Sequence, residues 1–169
     1  LTTAGLAYVV GVKKETTAWP PGEAPRPPTR WKGRGRPPTH VRRTATHTPQ
    51  SLKQLAVALP ATAWRTVTWR EGTRGAMRSR VARLRVRPAH RDEQRTAPRP
   101  EEWLLIEWPR GDAEPTKYWL STLPETTPVA ALVRLAKLRW RIERDYQELK
   151  DELGLDHFEG RGWRGFHHH

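Results

Sequence analysis

At 169 residues the chain is long enough for one domain or for part of a larger one, and 36% hydrophobic content with a mean hydropathy of −0.84 leaves a thin core that must lean on nine tryptophans. The balance of 31 Lys and Arg against 18 Asp and Glu gives a net charge of +13 and a pI near 11.1, which points to a polyanionic partner, nucleic acid first. The lack of cysteine excludes disulfides and thiolate chemistry and fits a reducing cytoplasm, while no apolar run approaches the ~20 residues that span a bilayer and the cations are not gathered on one amphipathic helix.

The chain starts at Leu1, not Met, and enters a strand-like run at once, so sequence is expected to have been cut away upstream. Residues 6–12 (LAYVVGV) read as a strand buried on both faces, with partners outside this chain or much later in it. Residues 19–38 are dense in Pro, Gly and Arg and read as a loop. Within it Arg34, Gly35, Arg36 and Pro37 match the core of an AT-hook, an extended segment that lays two arginines in a narrow minor groove; a solvated basic connector is the competing reading.

Ser51 is placed to cap a short helix through Leu59, where Pro60 discourages continuation. Periodicity then changes to two. Residues 64–70 alternate, Gly72 and Gly75 mark a turn, and residues 77–87 alternate again with a break at Val81 and Ala82 that suits a β-bulge. Residues 102–108 and 117–122 supply two more strands around the turn PRGDAEP, making a small antiparallel unit. Arg78, Arg80, Arg83, Arg85 and Arg87 form a stripe that grips a DNA backbone or keeps an exposed sheet face soluble. Trp64, Trp69, Trp103 and Trp108 are expected in the core and hairpins, with Trp119 the one aromatic to test as a base platform.

Thr127 and Pro128 open a helix expected to reach Leu153, with Gly154 beyond it. Leu135, Leu138, Ile142, Tyr146, Leu149 and Leu153 recur at helical spacing, so this face is expected to pack; on another face stand Arg139, Glu143, Gln147 and Lys150. By spacing alone, Glu143 is a salt-bridge partner of Arg139 on a surface helix, or a metal ligand beside phosphate-holding cations. His157 reads as a loop residue, and the three terminal histidines as the first turn of an interrupted native helix.

The segment RWRIERDYQELKDELGLDHFEGRGWRGFHHH resembles the C-terminal signature of DDE transposases of bacterial insertion sequences, most closely the family called seven-oh-one, a relative of the family called four. That signature runs Tyr, two residues, Arg, three residues, Glu, six residues, Lys; Arg139, Glu143 and Lys150 fit it, and the Tyr position falls on Ala136. The resemblance implies an α+β fold: the C-terminal part of an RNase H-like catalytic domain with an antiparallel β-rich insertion, followed by the long helix carrying the catalytic Glu. It divides the chain into a strand of the RNase H-like domain (1–14), a basic loop and β-rich insertion (15–125), and the Glu helix with the start of a C-terminal helical part (126–169).

The resemblance also implies that Glu143 is the third acidic ligand of a Mg²⁺ (or Mn²⁺) centre whose two Asp ligands are missing here. Arg139 and Lys150 would hold phosphates, Trp119 would stand near a flipped base, and Arg34, Arg36, Arg83 and Arg85 would contact DNA. The parent enzyme, a homodimer on DNA in a bacterial cytoplasm, would cut and rejoin element ends, whereas this chain alone would bind DNA without cleaving it. A non-catalytic basic DNA-binding module and a decayed relic of a transposase are the other readings.

Overall fold

The computed structural model describes residues 5–72 and 75–153, without the side chains of 70–72, 139–145 and 153. The chain divides into two compact units, Leu1–Ala136 and Lys137–His169. The first is built on a seven-stranded sheet with a short α-helix, two 3-10 turns and the start of a second α-helix, an α+β arrangement. Its strands are β1 (Val9–Val12), β2 (Thr17–Trp19), β3 (Gln50–Ser51), β4 (Arg65–Gly72), β5 (Gly75–Pro88), β6 (Glu102–Trp108) and β7 (Lys117–Ser121). They pair antiparallel in the order β1-β7-β6-β5-β2-β3, with β4 on β5.

Two covers make the core. In β6, EWLLIEW, all side chains but the last are buried. Leu104 and Ile106 point to one face, where Leu52, Leu55 and Ala56 of helix α1 (Leu52–Val57) join Val86, Tyr118 and Leu120. Trp103 and Leu105 point to the other, with Val67, Val81 and the start of helix α2 (Val129–Leu153), through Leu132, Val133 and Ala136. A strand covered on both sides reads as a continuous apolar run because alternate residues all have something to bury against. The run at 6–12 is different. Its strand β1 lies at the sheet edge with half-buried side chains and exposed Gly11, since β7 pairs with one side of it and no described strand with the other.

Ser51 caps α1 as its sequence requires. Its hydroxyl accepts the Gln54 N–H at 3.2 Å and the Gln54 side chain takes the Ser51 N–H at 2.9 Å, a reciprocal capping box. The predicted bulge at Val81 and Ala82 is absent: β5 and β6 pair one for one from Arg80 opposite Trp108 to Val86 opposite Glu102. The register shift falls instead in β4, between Thr68 and Arg70. What changes at residue 81 is the cover, not the backbone. Arginines stand on the α1 face at 78 and 80, and on the α2 face at 83, 85 and 87, wherever the respective cover has run out.

In the second unit, α2 continues to Leu153. The apolar row expected to pack is exposed at Leu138, Tyr146 and Leu149, as is Leu135 of the first unit. The packed row is Leu132, Val133 and Ala136. No described helix is long and apolar enough to cross a membrane.

Candidate nucleic-acid interface

The longest run with no Asp or Glu lies between Ala24 and Arg70. Its loop is tied at the neck by paired backbone hydrogen bonds between Arg26 and Arg42, 2.9 Å each way, and by Arg42 Nε donating to the Pro27 carbonyl at 3.2 Å. Between them residues 29–40 are all exposed, including Arg30, Lys32, Arg34 and Arg36. Gly33 and Gly35 take left-handed φ values of 84° and 71°, conformations that cost other residues energy. They fold the tip so that Trp31 Nε1 reaches the Gly35 carbonyl at 3.2 Å. Arg34 and Arg36 therefore project from a turn, and the extended AT-hook ribbon is not formed.

Behind this loop lies a buried anchor. Asp92, 1% exposed, accepts the Trp19 indole N–H at 2.7 Å and Arg43 Nε at 2.9 Å, and Arg43 Nη2 donates both to Asp92 and to the Ala89 carbonyl. Burial alone would push the Asp92 carboxyl up, but the hydrogen bonds from Trp19 and Arg43 and the Arg43 charge outweigh it and hold it below the ordinary value. Trp19 is also fully buried, stacked at 4.6 Å on His47. No sequence signal joins these residues, which come from three distant segments.

The arginine stripe is not a stripe. Arg83 lies 4.4 Å over the Trp103 ring and donates to the Thr127 carbonyl at 2.5 Å; Arg85 lies 5.0 Å over the same ring and donates to the Glu101 carbonyl at 2.7 Å. Arg87 reaches the carbonyls of Glu23 and Arg99. All three direct at least one guanidinium donor to a backbone carbonyl of the fold. On the opposite face, Arg80 lies 5.4 Å over Trp64 and 4.6 Å over Trp108, two rings in edge contact at 5.2 Å.

Arg80 forms one wall of a groove of about 630 Å³, lined also by Thr66, Arg78, Glu107, Trp108 and Arg110. Glu107, whose side chain alternates to the α2 face, is 4% exposed and accepts the Ser79 hydroxyl at 2.5 Å, while Ser79 in turn accepts the Trp69 indole N–H at 3.0 Å. Arg78 and Arg110 are exposed, and no described residue pairs with either.

Trp119 is half-buried among the second core cluster, opposite Gly11 and Leu105 in register, with its ring 3.9 Å from where a Gly11 Cβ would stand. Arg139 and Glu143 are helical, but their side chains lie outside the described residues. Lys150 holds its ammonium 5.0 Å from the Tyr146 ring. His157 and the terminal histidines lie outside the described residues too.

Among the described residues no group of three His, Asp or Glu side chains converges as a metal centre would need. Asp92 is taken by Trp19 and Arg43, Asp112 by the Thr116 hydroxyl at 3.0 Å, and Asp151 by Gln147 at 3.1 Å. These carboxylates do not fit a divalent-metal site.

Residues 1–76 match the model of a family described as DDE superfamily endonuclease. The match covers less than half of the 169-residue chain and ends within β5. No curated protein and no solved structure matches the chain.

Proposed function

We propose that this chain is the C-terminal portion of an insertion-sequence DDE transposase of the seven-oh-one type. The observation that carries the reading is the family match over residues 1–76, because it ends well before the signature formed by Arg139, Glu143 and Lys150. Two separate stretches thus support one class. In this reading, strand β1 belongs to an RNase H-like domain, the sheet with its basic loop holds the element end, and Glu143 supplies one carboxylate to a Mg²⁺ or Mn²⁺ site completed by two Asp residues from elsewhere in the complete, dimeric protein. The ion, when bound, activates an attacking oxygen and stabilises the leaving one. Arg139 and Lys150 hold the phosphates flanking the scissile bond, and Trp119 stands near an unstacked base.

One carboxylate cannot hold two metal ions, so the chain alone should bind duplex DNA in a salt-sensitive way and leave it uncut. The test is a magnesium-dependent nicking assay on the chain and on its Glu143→Gln variant. Nicking by the chain that the substitution removes would overturn the claim of inactivity. Loss of strand transfer on placing Glu143→Gln in the complete protein is the expected result for the catalytic role.

The second reading, a non-catalytic DNA-binding module, is favoured by the exposed, acid-free basic loop. It requires the complete protein to keep its activity with Glu143→Gln and to lose DNA affinity when the loop arginines are reversed.

A further inference from the structure

The groove beside β5 is built for a phosphate. We infer that Arg78 and Arg110 bind a phosphate group of a nucleic-acid strand there, with Arg80 as the fixed third cation; as a contact with DNA, this rests on the function proposed above.

Three features carry the inference. First, three guanidinium groups converge on one groove, and among the described residues none of them forms an ion pair. Elsewhere on the sheet Arg83, Arg85 and Arg87 each donate to a backbone carbonyl, and Arg85 and Arg87 also pair with carboxylates, although the buried Arg85 Nε has no hydrogen-bond partner. Secondly, the two carboxylates of the lining are engaged. Glu107 is buried on Ser79, and Asp112 takes the Thr116 hydroxyl while its carbonyl accepts the Trp108 indole N–H at 2.9 Å. Thirdly, Arg80 is oriented in advance by Trp64 and Trp108, so little side-chain freedom is lost when an anion arrives.

The geometry also suits a chain rather than an enclosed small molecule. β6 ends at Trp108 opposite Arg80, and from Gly75 to Ser79 β5 is paired by β4 alone among the described strands. The groove is therefore open along the projecting β4–β5 hairpin, and a strand can enter and leave it. Its volume of about 630 Å³ lies within the range of sites that take nucleotide-sized groups.

The experiment uses the full chain. Affinity for a short duplex and for the corresponding single strand is measured by fluorescence anisotropy over a range of salt, for the wild type, Arg78→Glu/Arg110→Glu, the milder Arg78→Gln/Arg110→Gln, and a control of equal charge change, Arg95→Glu/Arg134→Glu. In parallel, inorganic phosphate and a 5′-phosphorylated dinucleotide are titrated against the ¹⁵N-indole spectrum. The Trp108 N–H, held by Asp112, reports on the groove, and the buried Trp19 N–H reports on the fold.

The expected result is at least a tenfold loss of affinity for the Glu pair, a salt dependence shallower by about two counterions, and a phosphate-induced shift of Trp108 but not Trp19. Equal losses in the groove and control variants, with Trp108 unmoved, would overturn the inference. If the wild type binds no DNA but phosphate or the dinucleotide still shifts Trp108, the site stands as one for free phosphate or nucleotide and it is the proposed function that falls.

Discussion

The guanidinium of Arg80 sits 4.6 Å over the Trp108 ring, and the two residues face each other in register across β5 and β6. This cross-strand stack closes the open end of the paired region and joins Trp64 to the sheet. Replacing Arg80 by Ala should lower stability by ~1–2 kcal/mol through lost stacking, with Lys restoring part of it. Urea denaturation at constant ionic strength measures this.

Arg83 and Arg78 are five residues apart on one strand yet should behave oppositely. Arg83→Ala removes a Trp103 stack and a hydrogen bond to the Thr127 carbonyl, and should cost ~1–3 kcal/mol. Arg78→Ala should stay within ~0.5 kcal/mol, because it is exposed and unpaired among the described residues. Thermal melts of the two variants make the comparison, and equal destabilisation would contradict the division of the arginines between a structural and an open face.

Asp92 makes stability depend on acid in a defined direction. Its folded carboxyl titrates below the ordinary value, so its contribution is fully present above the unfolded-state pKa and is lost as pH falls through the lower folded value. Asp92→Asn should cost ~2–3 kcal/mol at neutral pH, less than for a fully buried pair because Arg43 stays 34% exposed. The gap between wild type and variant should narrow as pH falls below the ordinary carboxylate range, as measured by denaturation across pH.

Glu102 works the other way. Burial raises its carboxyl, more than the Tyr8 hydroxyl at 2.7 Å and the nearby Arg99 and Arg85 charges lower it. A raised folded value favours the protonated form, so its contribution is best at low pH and is lost as pH rises through the folded value. Glu102→Gln keeps an acceptor for Tyr8 and should raise the Tm by ~2–4 °C at pH 7 while changing little near pH 4. A Tm that falls at pH 7 would show that the charge itself is needed there.

Reversing Arg34 and Arg36 to Glu should weaken duplex binding and reduce its salt dependence without moving the Tm, since both project from an exposed turn. Anisotropy with a melting control tests it. Unchanged affinity would make the loop a connector.

Much of the fold lay within reach of local pattern. The Ser51 cap, the β4–β5 hairpin, strands β6 and β7 and the α2 start near Pro128 all follow from spacing and turn chemistry, which act over a few residues. The failures share a cause. The Trp19–Asp92–Arg43 anchor, the edge position of β1 and the two faces of the arginines are set by partners far along the chain, which alternation cannot reveal. The groove was half visible: Arg78 stood in the alternating run, but its neighbour Arg110 comes from the following turn. The exposed row on α2 shows that helical spacing identifies an apolar face without saying what covers it.

The pairing of β1 with β7 has a consequence for how the protein is made. Strand β1 receives its hydrogen-bonding partner only after Ser121 has been synthesised, which leaves its edge unpaired by β7 in the interval. A fragment ending at residue 76, where the family match ends, would carry β1 without β7 and β4 with only the first two residues of β5, and should aggregate when expressed. The sequence similarity and the folding unit therefore have different borders, and a soluble truncation must retain residues through at least Ser121.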